Sequence, residues 1–254
     1  MKIGFLNHPR KDIIEEIEWI GKNKFDFVDL FIEEDMAVPE KINIAKVKKT
    51  LKKYNIATVG HTAWYLPIGS PVKSLRKAAV SEAERTFPLF SKLGVKHVTI
   101  HSKWPPNMFT AKEGIFFQAE SLKAIVKSAR QYNLNIILEP GDSPRDNLEN
   151  IAKILDNVPG LYFHLDIGHA SLQKRKPEQF IKKFHRILRH VHIHDNHGKY
   201  DEHLPIGKGN IKIKKIIKTL KKYYDGTITI EVFSKNRKHI LQSRNKLVKL
   251  WNRL

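Results

Sequence analysis

The sequence contains no cysteine among its 254 residues. This excludes disulfide bonds and thiolate zinc sites, so any metal must be held by nitrogen and oxygen donors. No apolar run approaches the roughly 20 residues that are needed to cross a bilayer. The opening residues, MKIGFL, lack the basic, apolar and cleavage regions of a signal peptide. We therefore expect a soluble, cytoplasmic protein with no membrane partner.

Acidic residues are scarce relative to basic ones. Lys and Arg number 46 against 26 Asp and Glu, which gives a net charge of +20. The imbalance is uneven, because residues 1–60 carry 11 basic and 10 acidic residues, whereas residues 171–254 carry 22 and 6. The excess either coats solvated outer helix faces or creates a positive field that attracts phosphates, of a nucleic acid or of a small sugar phosphate. Charge alone does not choose between these explanations.

Strand and helix patterns alternate along the chain, with no low-complexity linker between them. Eight short apolar runs predict strands at 2–6, 25–32, 56–61, 96–101, 135–140, 161–166, 190–195 and 227–232. Seven amphipathic patterns predict helices at 12–23, 70–94, 111–133, 147–158, 178–188, 211–223 and 236–254. Such alternation favours a parallel sheet. An open doubly wound sheet is the alternative, but no GxGxxG turn follows the first strand. The length suits one barrel, so we predict an α/β fold with a single (β/α)8 TIM-barrel domain over residues 1–254.

The densest group of potential ligands lies in HVHIHDNHGKYDEHLPIGKGN, residues 190–210. Side chains alternate faces along a strand, so His190, His192 and His194 share one face. In a barrel this face would be the interior, since the aliphatic residues between them suit the helix-covered side. Three imidazoles inside a packed barrel have few hydrogen-bond partners unless a metal or polar site accepts them. The pattern favours a metal site over isolated core histidines.

Carboxylates occupy equivalent places on other predicted strands. Glu139 follows NIIL, Glu231 follows TITI, and Asp166 shares the parity of His164 on strand six. A buried carboxylate is costly unless it is paired or metal-bound. Salt bridges with the many lysines are the alternative. Because barrel active sites are built at the carboxyl ends of the strands, the placement favours a metal centre.

With these motifs the whole chain resembles the xylose isomerase-like TIM-barrel superfamily. The motifs are GHTAWYL, TIHS, ILEP, HLDIGH, HIHDN, DEHLPIGKG and TIEV. The superfamily includes sugar-phosphate isomerases and epimerases as well as abasic-site nucleases of the endonuclease IV type. In the isomerases and epimerases, strands five to eight hold one divalent ion. The resemblance implies that the ligands here are Glu139, Asp166, His192 and Glu231, with Glu139 and Glu231 also acting as catalytic acid and base.

The nuclease type binds three zinc ions through five further ligands. The resemblance places these at His61, His101, His169, Asp201 and His203. Two features disfavour the nuclease. The segment FIEEDMAVPEK after strand two is acidic where the nuclease has a basic DNA-binding loop, and the first strand lacks the GxH-type opening. Trp64 and Tyr65 favour it, because the nuclease places base-stack wedges there. The same pair would equally suit the wall of a sugar pocket.

Taken with the resemblance, the sequence predicts a metal-dependent sugar or sugar-phosphate isomerase or epimerase. The alternative is an endonuclease IV-like abasic-site DNA endonuclease, with the basic C-terminal third contacting DNA; a non-catalytic metal-binding barrel is the third possibility. The first requires one Zn, Mn, Mg or Co ion, the second up to three Zn. Expected substrate contacts are Trp64, Tyr65, His194 and Lys208. The IGKGN turn around Lys208 could hold a phosphate through open backbone N–H groups.

Overall fold

The structure, a computed structural model, describes residues 1–254 as a closed barrel of eight parallel strands in the order β1 to β8. The strands are β1 Lys2–Leu6, β2 Phe27–Ile32, β3 Ala57–Thr62, β4 His97–His101, β5 Asn135–Glu139, β6 Tyr162–Asp166, β7 Leu188–Ile193 and β8 Thr227–Ile230. The helices are α1 Ile13–Lys22, α2 Ile44–Tyr54, α3 Lys73–Lys92, α4 Ala111–Arg130, α5 Leu148–Asn157, α6 Pro177–Phe184, α7 Ile213–Tyr223 and α8 Lys238–Arg253. The predicted (β/α)8 barrel is confirmed. None of these helices has the length and apolarity to cross a membrane.

Helix α2 is absent from the seven predicted helical patterns. Its sequence, IAKVKKTLKKY, buries only Val47, Thr50 and Leu51. This stripe is too narrow for the apolar periodicity on which helix prediction depends. Its ends are nevertheless well defined, because the Asn43 side chain accepts from the backbone N–H of Lys46 and Asn55 closes the helix in the left-handed conformation (φ +52°).

The predicted boundary between the sixth helix and the seventh strand was wrong. Helix α6 ends at Phe184 instead of 188, and β7 starts at Leu188 instead of 190. Phe184, Ile187 and Leu188 continue the i, i+3, i+4 spacing of the helix, so the pattern did not show where the helix ends. His194 consequently lies just beyond β7. The eighth strand also ends earlier than predicted, at Ile230, so Glu231 is the first residue after it.

Two different environments lie on the two sides of the strands. Between the strands and the helices a continuous apolar core includes Leu138, Val191 and Ile228. The inside of the barrel instead contains a polar layer, whose fully buried members are Asp29, Thr99, His164, His190, His192 and Thr229. These side chains contact one another, as when the Thr99 hydroxyl lies 3.0 Å from His164 Nδ1. The prediction that the β7 histidines face the interior is therefore confirmed.

Candidate metal centre

Four ligand-type side chains from consecutive strands meet at the carboxyl end of the barrel. Glu139 ends β5, Asp166 ends β6, His192 lies near the end of β7 and Glu231 directly follows β8. One ligand atom from each lies within 4.8 Å of the others, and all four residues are buried. We refer to these residues as the four-ligand group. It is the set that the resemblance implied.

The donor atoms of the four-ligand group lack hydrogen-bond partners. Glu139 Oε1, Asp166 Oδ2, His192 Nδ1 and Glu231 Oε2 are all buried and unpartnered. His192 Nδ1 lies 3.4 Å from Glu139 Oε1 and 3.1 Å from Glu231 Oε2, but not in hydrogen-bonding geometry. Leaving buried polar atoms unsatisfied is costly. A divalent cation would satisfy all four atoms at once, so these residues fit a metal ion bound by nitrogen and oxygen.

A second group of donors lies beside the first. It consists of His169, His194, Asp201 and His203. The Asp201 carboxylate lies at its centre, with Oδ2 2.7 Å from His203 Nε2 and 3.1 Å from His169 Nε2. Oδ1 lies 3.3 Å from His194 Nε2. His194, which we expected to contact substrate, is thus placed among the ligand-type residues.

A third group shares Glu139 with the first. His101 Nε2 and His61 Nε2 lie 3.0 and 3.2 Å from Glu139 Oε2. All nine metal-ligand residues predicted from the resemblance therefore lie in one of three adjacent groups.

The carboxylates strongly alter the protonation of this centre. Burial alone would lower the pKa of His192, but Glu231 and Glu139 raise it well above its usual value. His169 shows the same net effect beside Asp166 and Asp201, and the pKa of His203 rises to about 9. Burial would raise the pKa of Glu139, but His101, His164 and His192 hold it well below its usual range. These shifts favour the ionised form of Glu139 and the protonated forms of His192, His169 and His203.

Metal binding is therefore expected to release protons. The ligand nitrogens must be neutral to bind an ion, so the apparent affinity should fall as pH falls from about 9, the pKa of His203, towards 6.5. The fall should be about tenfold per pH unit for each displaced proton. Calorimetric titration with zinc in two buffers of different ionisation enthalpy measures this release. Equal zinc affinities at pH 6.5 and at about pH 9 would contradict this prediction.

In the metal-free protein, the raised pKa of His203 also makes the free energy of unfolding depend on pH. A raised folded-state pKa stabilises the fold below the unfolded-state value, 6.5 for His203, and this contribution is lost as pH rises through about 9. The free energy of unfolding of the chelated protein should therefore fall between pH 6.5 and about 9, whereas that of the metal-loaded protein should not.

Asp29 on β2 contacts His192 behind the four-ligand group, and the sequence did not identify it as a site residue. Its Oδ2 lies 2.8 Å from His192 Nε2 and 3.1 Å from His190 Nε2, and it accepts from the Thr229 hydroxyl at 2.9 Å. Holding Nε2 in this way leaves His192 Nδ1 facing the other ligands, as carboxylates behind metal-binding histidines commonly do. The detectable signal was a carboxylate inside the apolar strand FVDLFI.

A cavity of about 600 Å³ adjoins the ligand groups on the side of β1, β2 and β8. Trp64 lines it and is half exposed, whereas Tyr65, also half exposed, does not line it. Phe31 in its wall stacks on His61 with ring centroids 3.8 Å apart, and Phe233 stacks on His203 at 4.0 Å. Two wall residues of the cavity thus contact ligand-type histidines, and the cavity has the size of a small-molecule pocket.

The IGKGN turn already holds an anion that belongs to the protein. Backbone N–H groups of Gly207 and Ile211 donate to the Asp195 carboxylate at 2.7 and 3.1 Å, as does Asn196 at 2.9 Å. Lys208 is exposed, and its backbone N–H bonds to Pro205. The turn therefore offers no open array of donors of the kind that we expected to hold a phosphate, and Asp195 accounts for its conformation.

Gly168 allows His194 to reach the second group. A Cβ built on Gly168 would lie 1.9 Å from His194 Cε1, far inside contact distance. His194 Nε2 also lies 3.2 Å from Asp166 Oδ1 of the four-ligand group, so Gly168→Ala is expected to displace the imidazole and weaken zinc binding at least tenfold. Ala at Gly94 would not serve as control, because φ there is +77°; Gly141→Ala does, because its nearest neighbour would be 3.6 Å away. Zinc affinities equal in the two variants would contradict the expectation.

Comparison with known proteins identifies the family of the chain. Residues 17–250 match the family described as Xylose isomerase-like TIM barrel. An uncharacterized protein of Methanocaldococcus jannaschii is 29% identical over 93% of this chain and 84% of its own length. Fructoselysine 3-epimerase of Escherichia coli O157:H7 is 21% identical over 74% of this chain and 73% of its own. The crystal structure of a D-tagatose 3-epimerase-like protein is 27% identical, covers 100% of this chain and 99% of its own, and superposes with a TM-score of 0.88. The chain belongs to the xylose isomerase-like TIM barrel family.

Proposed function

We propose that this protein is a divalent-metal-dependent epimerase or isomerase of sugars or sugar phosphates. The observation that carries the proposal is a pair of buried carboxylates, Glu139 at the end of β5 and Glu231 directly after β8, which lie in one four-ligand group. The similarity to a fructoselysine 3-epimerase and to a D-tagatose 3-epimerase-like protein supports it. Epimerisation beside a carbonyl needs a proton to leave one face of a carbon and another to arrive on the opposite face, which two carboxylates can accomplish.

A divalent ion bound by Glu139, Asp166, His192 and Glu231 would act as a Lewis acid on the substrate oxygens and so acidify the neighbouring C–H. Asp29 holds His192 by its Nε2 at 2.8 Å, which keeps the other ring nitrogen directed at the group. Zn, Mn, Mg and Co all accept such a donor set, and we propose one ion for this activity.

Glu139 and Glu231 move the proton. The neighbouring imidazoles hold the pKa of Glu139 well below its usual range, against the effect of burial, so it is ionised and able to accept a proton. Glu231 lies across the group, with Oε2 3.1 Å from His192 Nδ1. In this proposal Glu231 begins the cycle protonated and delivers its proton to the other face of the carbon, while Glu139 keeps the proton that it removed; exchange with solvent then restores both carboxyl groups. In the reverse direction the two residues exchange roles. We propose that His101 and His169 donate hydrogen bonds to sugar hydroxyls.

The cavity beside the centre provides the sugar site. Phe31, Trp64 and Phe233 form apolar walls, and Glu33, Lys11 and Lys235 add polar groups. Apolar walls with a few polar side chains are typical of small-molecule pockets. Because Trp64 lines this cavity, we propose that it contacts the sugar. Tyr65 does not line the cavity, so we propose that it contacts the sugar only at the cavity entrance.

Solvent exchange at carbon tests this function directly. The metal-loaded protein would be incubated in D2O with a panel of ketoses and their phosphates and followed by NMR. We expect deuterium to enter the carbon next to the carbonyl of at least one sugar, together with formation of its epimer or isomer, and a chelator should stop both. Absence of exchange in every sugar by a protein with confirmed bound metal would overturn the proposal.

The abasic-site nuclease remains the second candidate, because all nine of its ligand types lie in three adjacent groups. Clustered metals of this kind can activate water and stabilise the leaving oxygen of a phosphodiester. A duplex with one abasic site, beside an undamaged duplex and a chelator control, separates the two candidates. Chelator-sensitive nicking at the lesion alone would favour the nuclease.

A further inference from the structure

The end of the barrel opposite the metal centre, which we call the N-terminal face, carries a concentration of positive charge. The helices run antiparallel to the strands, so their C-terminal ends gather at this face. All helices except α5 have Lys or Arg in their last turn: Lys22, Lys52, Lys53, Lys92, Lys127, Arg130, Lys182, Lys183, Lys221, Lys222 and Arg253. The basic residues are therefore distributed around the whole face.

Helix dipoles explain part of this charge. A cation near a helix C-terminus contributes about 0.3–1 kcal/mol by compensating the partial negative charge there. Lys2 in β1, Lys96 just before β4 and Lys48 in the middle of α2 do not occupy such a position. The N-terminal face thus carries more positive charge than the helix ends require.

Five of these lysines line a single groove of about 670 Å³. They are Lys2, Lys48, Lys52, Lys92 and Lys96, and no Asp or Glu lines the same groove. All five are exposed, and none forms an ion pair, although the neighbouring Lys53 pairs with Glu18 at 3.5 Å. Five ammonium groups around one groove repel one another and create a local positive potential. A bound polyanion would relieve that repulsion.

The composition of the groove indicates which polyanion fits. The lysines come from four places, β1, α2, α3 and the residue before β4, and the basic helix ends continue around the face beyond the groove, so the positive charge is not confined to one small anion site. No Phe, Tyr or Trp lines it, and its one ring, that of His97, is partly buried, so the groove lacks the stacking platform that single-stranded nucleic acids use. Duplex nucleic acid carries one negative charge per about 1.7 Å of axis and is bound by such cations through its backbone.

We propose that the lysine groove and the basic helix ends around it bind the phosphodiester backbone of double-stranded nucleic acid without reading its sequence. This surface is separate from the metal centre and independent of the sugar chemistry proposed above. It also differs from the nuclease alternative, in which DNA would lie over the carboxyl ends of the strands.

The test is fluorescence anisotropy of a labelled 20-base-pair DNA duplex, without abasic sites, titrated with protein at several salt concentrations. The groove variant is Lys48→Ala/Lys52→Ala/Lys92→Ala/Lys96→Ala. We expect its affinity to fall at least tenfold at low salt. The slope of log affinity against log salt should become shallower by about 0.9 for each phosphate contact removed.

The matched control removes four exposed lysines from the outer helices, Lys73, Lys77, Lys112 and Lys123, none of which forms an ion pair. It lowers the net charge equally and should bind within about threefold of the unmutated protein. A Lys→Arg version of the groove variant should retain binding, which separates loss of charge from loss of folding.

Chelation of metal should leave duplex binding unchanged, because the metal centre is at the other end of the barrel. The proposal is overturned by equal losses in the groove and control variants, or by loss of binding on chelation. It is likewise overturned if the unmutated protein does not bind the duplex at low salt. None of these results depends on whether the protein is an epimerase.

Discussion

Replacement of Glu139 by glutamine is expected to lower proton exchange at the sugar carbon by about 100- to 10,000-fold, the usual contribution of a positioned general base. Glutamine preserves the shape of the side chain and keeps an oxygen near His61 and His101, but it cannot accept the proton. Asp166, His192 and Glu231 remain as donors, so some metal should stay bound. NMR exchange and metal content measured on the same samples separate the two effects.

The matched control is Glu149→Gln, since Glu149 is exposed and its side chain pairs only with Lys153. It should exchange at the unmutated rate. Glu231→Gln should lose epimer formation to a similar extent as Glu139→Gln, because each carboxylate serves one face of the carbon. Full exchange by a metal-loaded Glu139→Gln protein would remove the role proposed for that residue.

Replacement of Asp29 by asparagine should weaken metal binding about 10- to 100-fold without removing any ligand, as loss of a carboxylate behind a metal-binding histidine commonly does. The amide is a poorer acceptor for His192 and His190, so the His192 ring is held less firmly with Nδ1 towards the ion. Competition with a chromophoric chelator measures the change. At saturating metal concentration, the activity of the Asp29→Asn variant should return largely to that of the unmutated protein.

Thr229→Val is the appropriate comparison for Asp29→Asn. It removes a neutral hydrogen-bond donor from the Asp29 carboxylate but leaves the 2.8 Å contact with His192 in place. We expect its metal affinity to change by less than about threefold. Equal losses in the two variants would mean that the polar layer acts by packing alone and that Asp29 does not orient the ligand.

The sequence predicted the barrel and the convergence of its ligands because both depend on local patterns. Strand parity placed His190, His192 and His194 inside, and all three are fully buried. Parity could not separate these three histidines, since they share one face. The resemblance supplied His192 as the member of the four-ligand group, and the structure places His194 with Asp201 instead.

Features that depend on contacts across the barrel could not be predicted. Asp29 contacts His190 and His192 only because β2 and β7 face each other through the interior, 161 and 163 residues apart in sequence. Asp195 likewise reaches Gly207 after the chain has turned back on itself. The glycine-rich turn alone suggested an external phosphate, because the sequence does not show which carboxylate occupies its N–H groups.

With the proposed ion bound, the polar layer inside the barrel would link the lifetime of the protein in the cell to its metal supply. Most TIM barrels fill this space with aliphatic side chains, whereas here it contains histidines and Asp29 behind the ligands. An ion that binds only the folded chain at 100 times its dissociation constant would add about 2.7 kcal/mol of stability. Chains that fail to acquire an ion would unfold more often and be degraded first. Proteolysis would then enrich the cell in molecules that are already competent for catalysis.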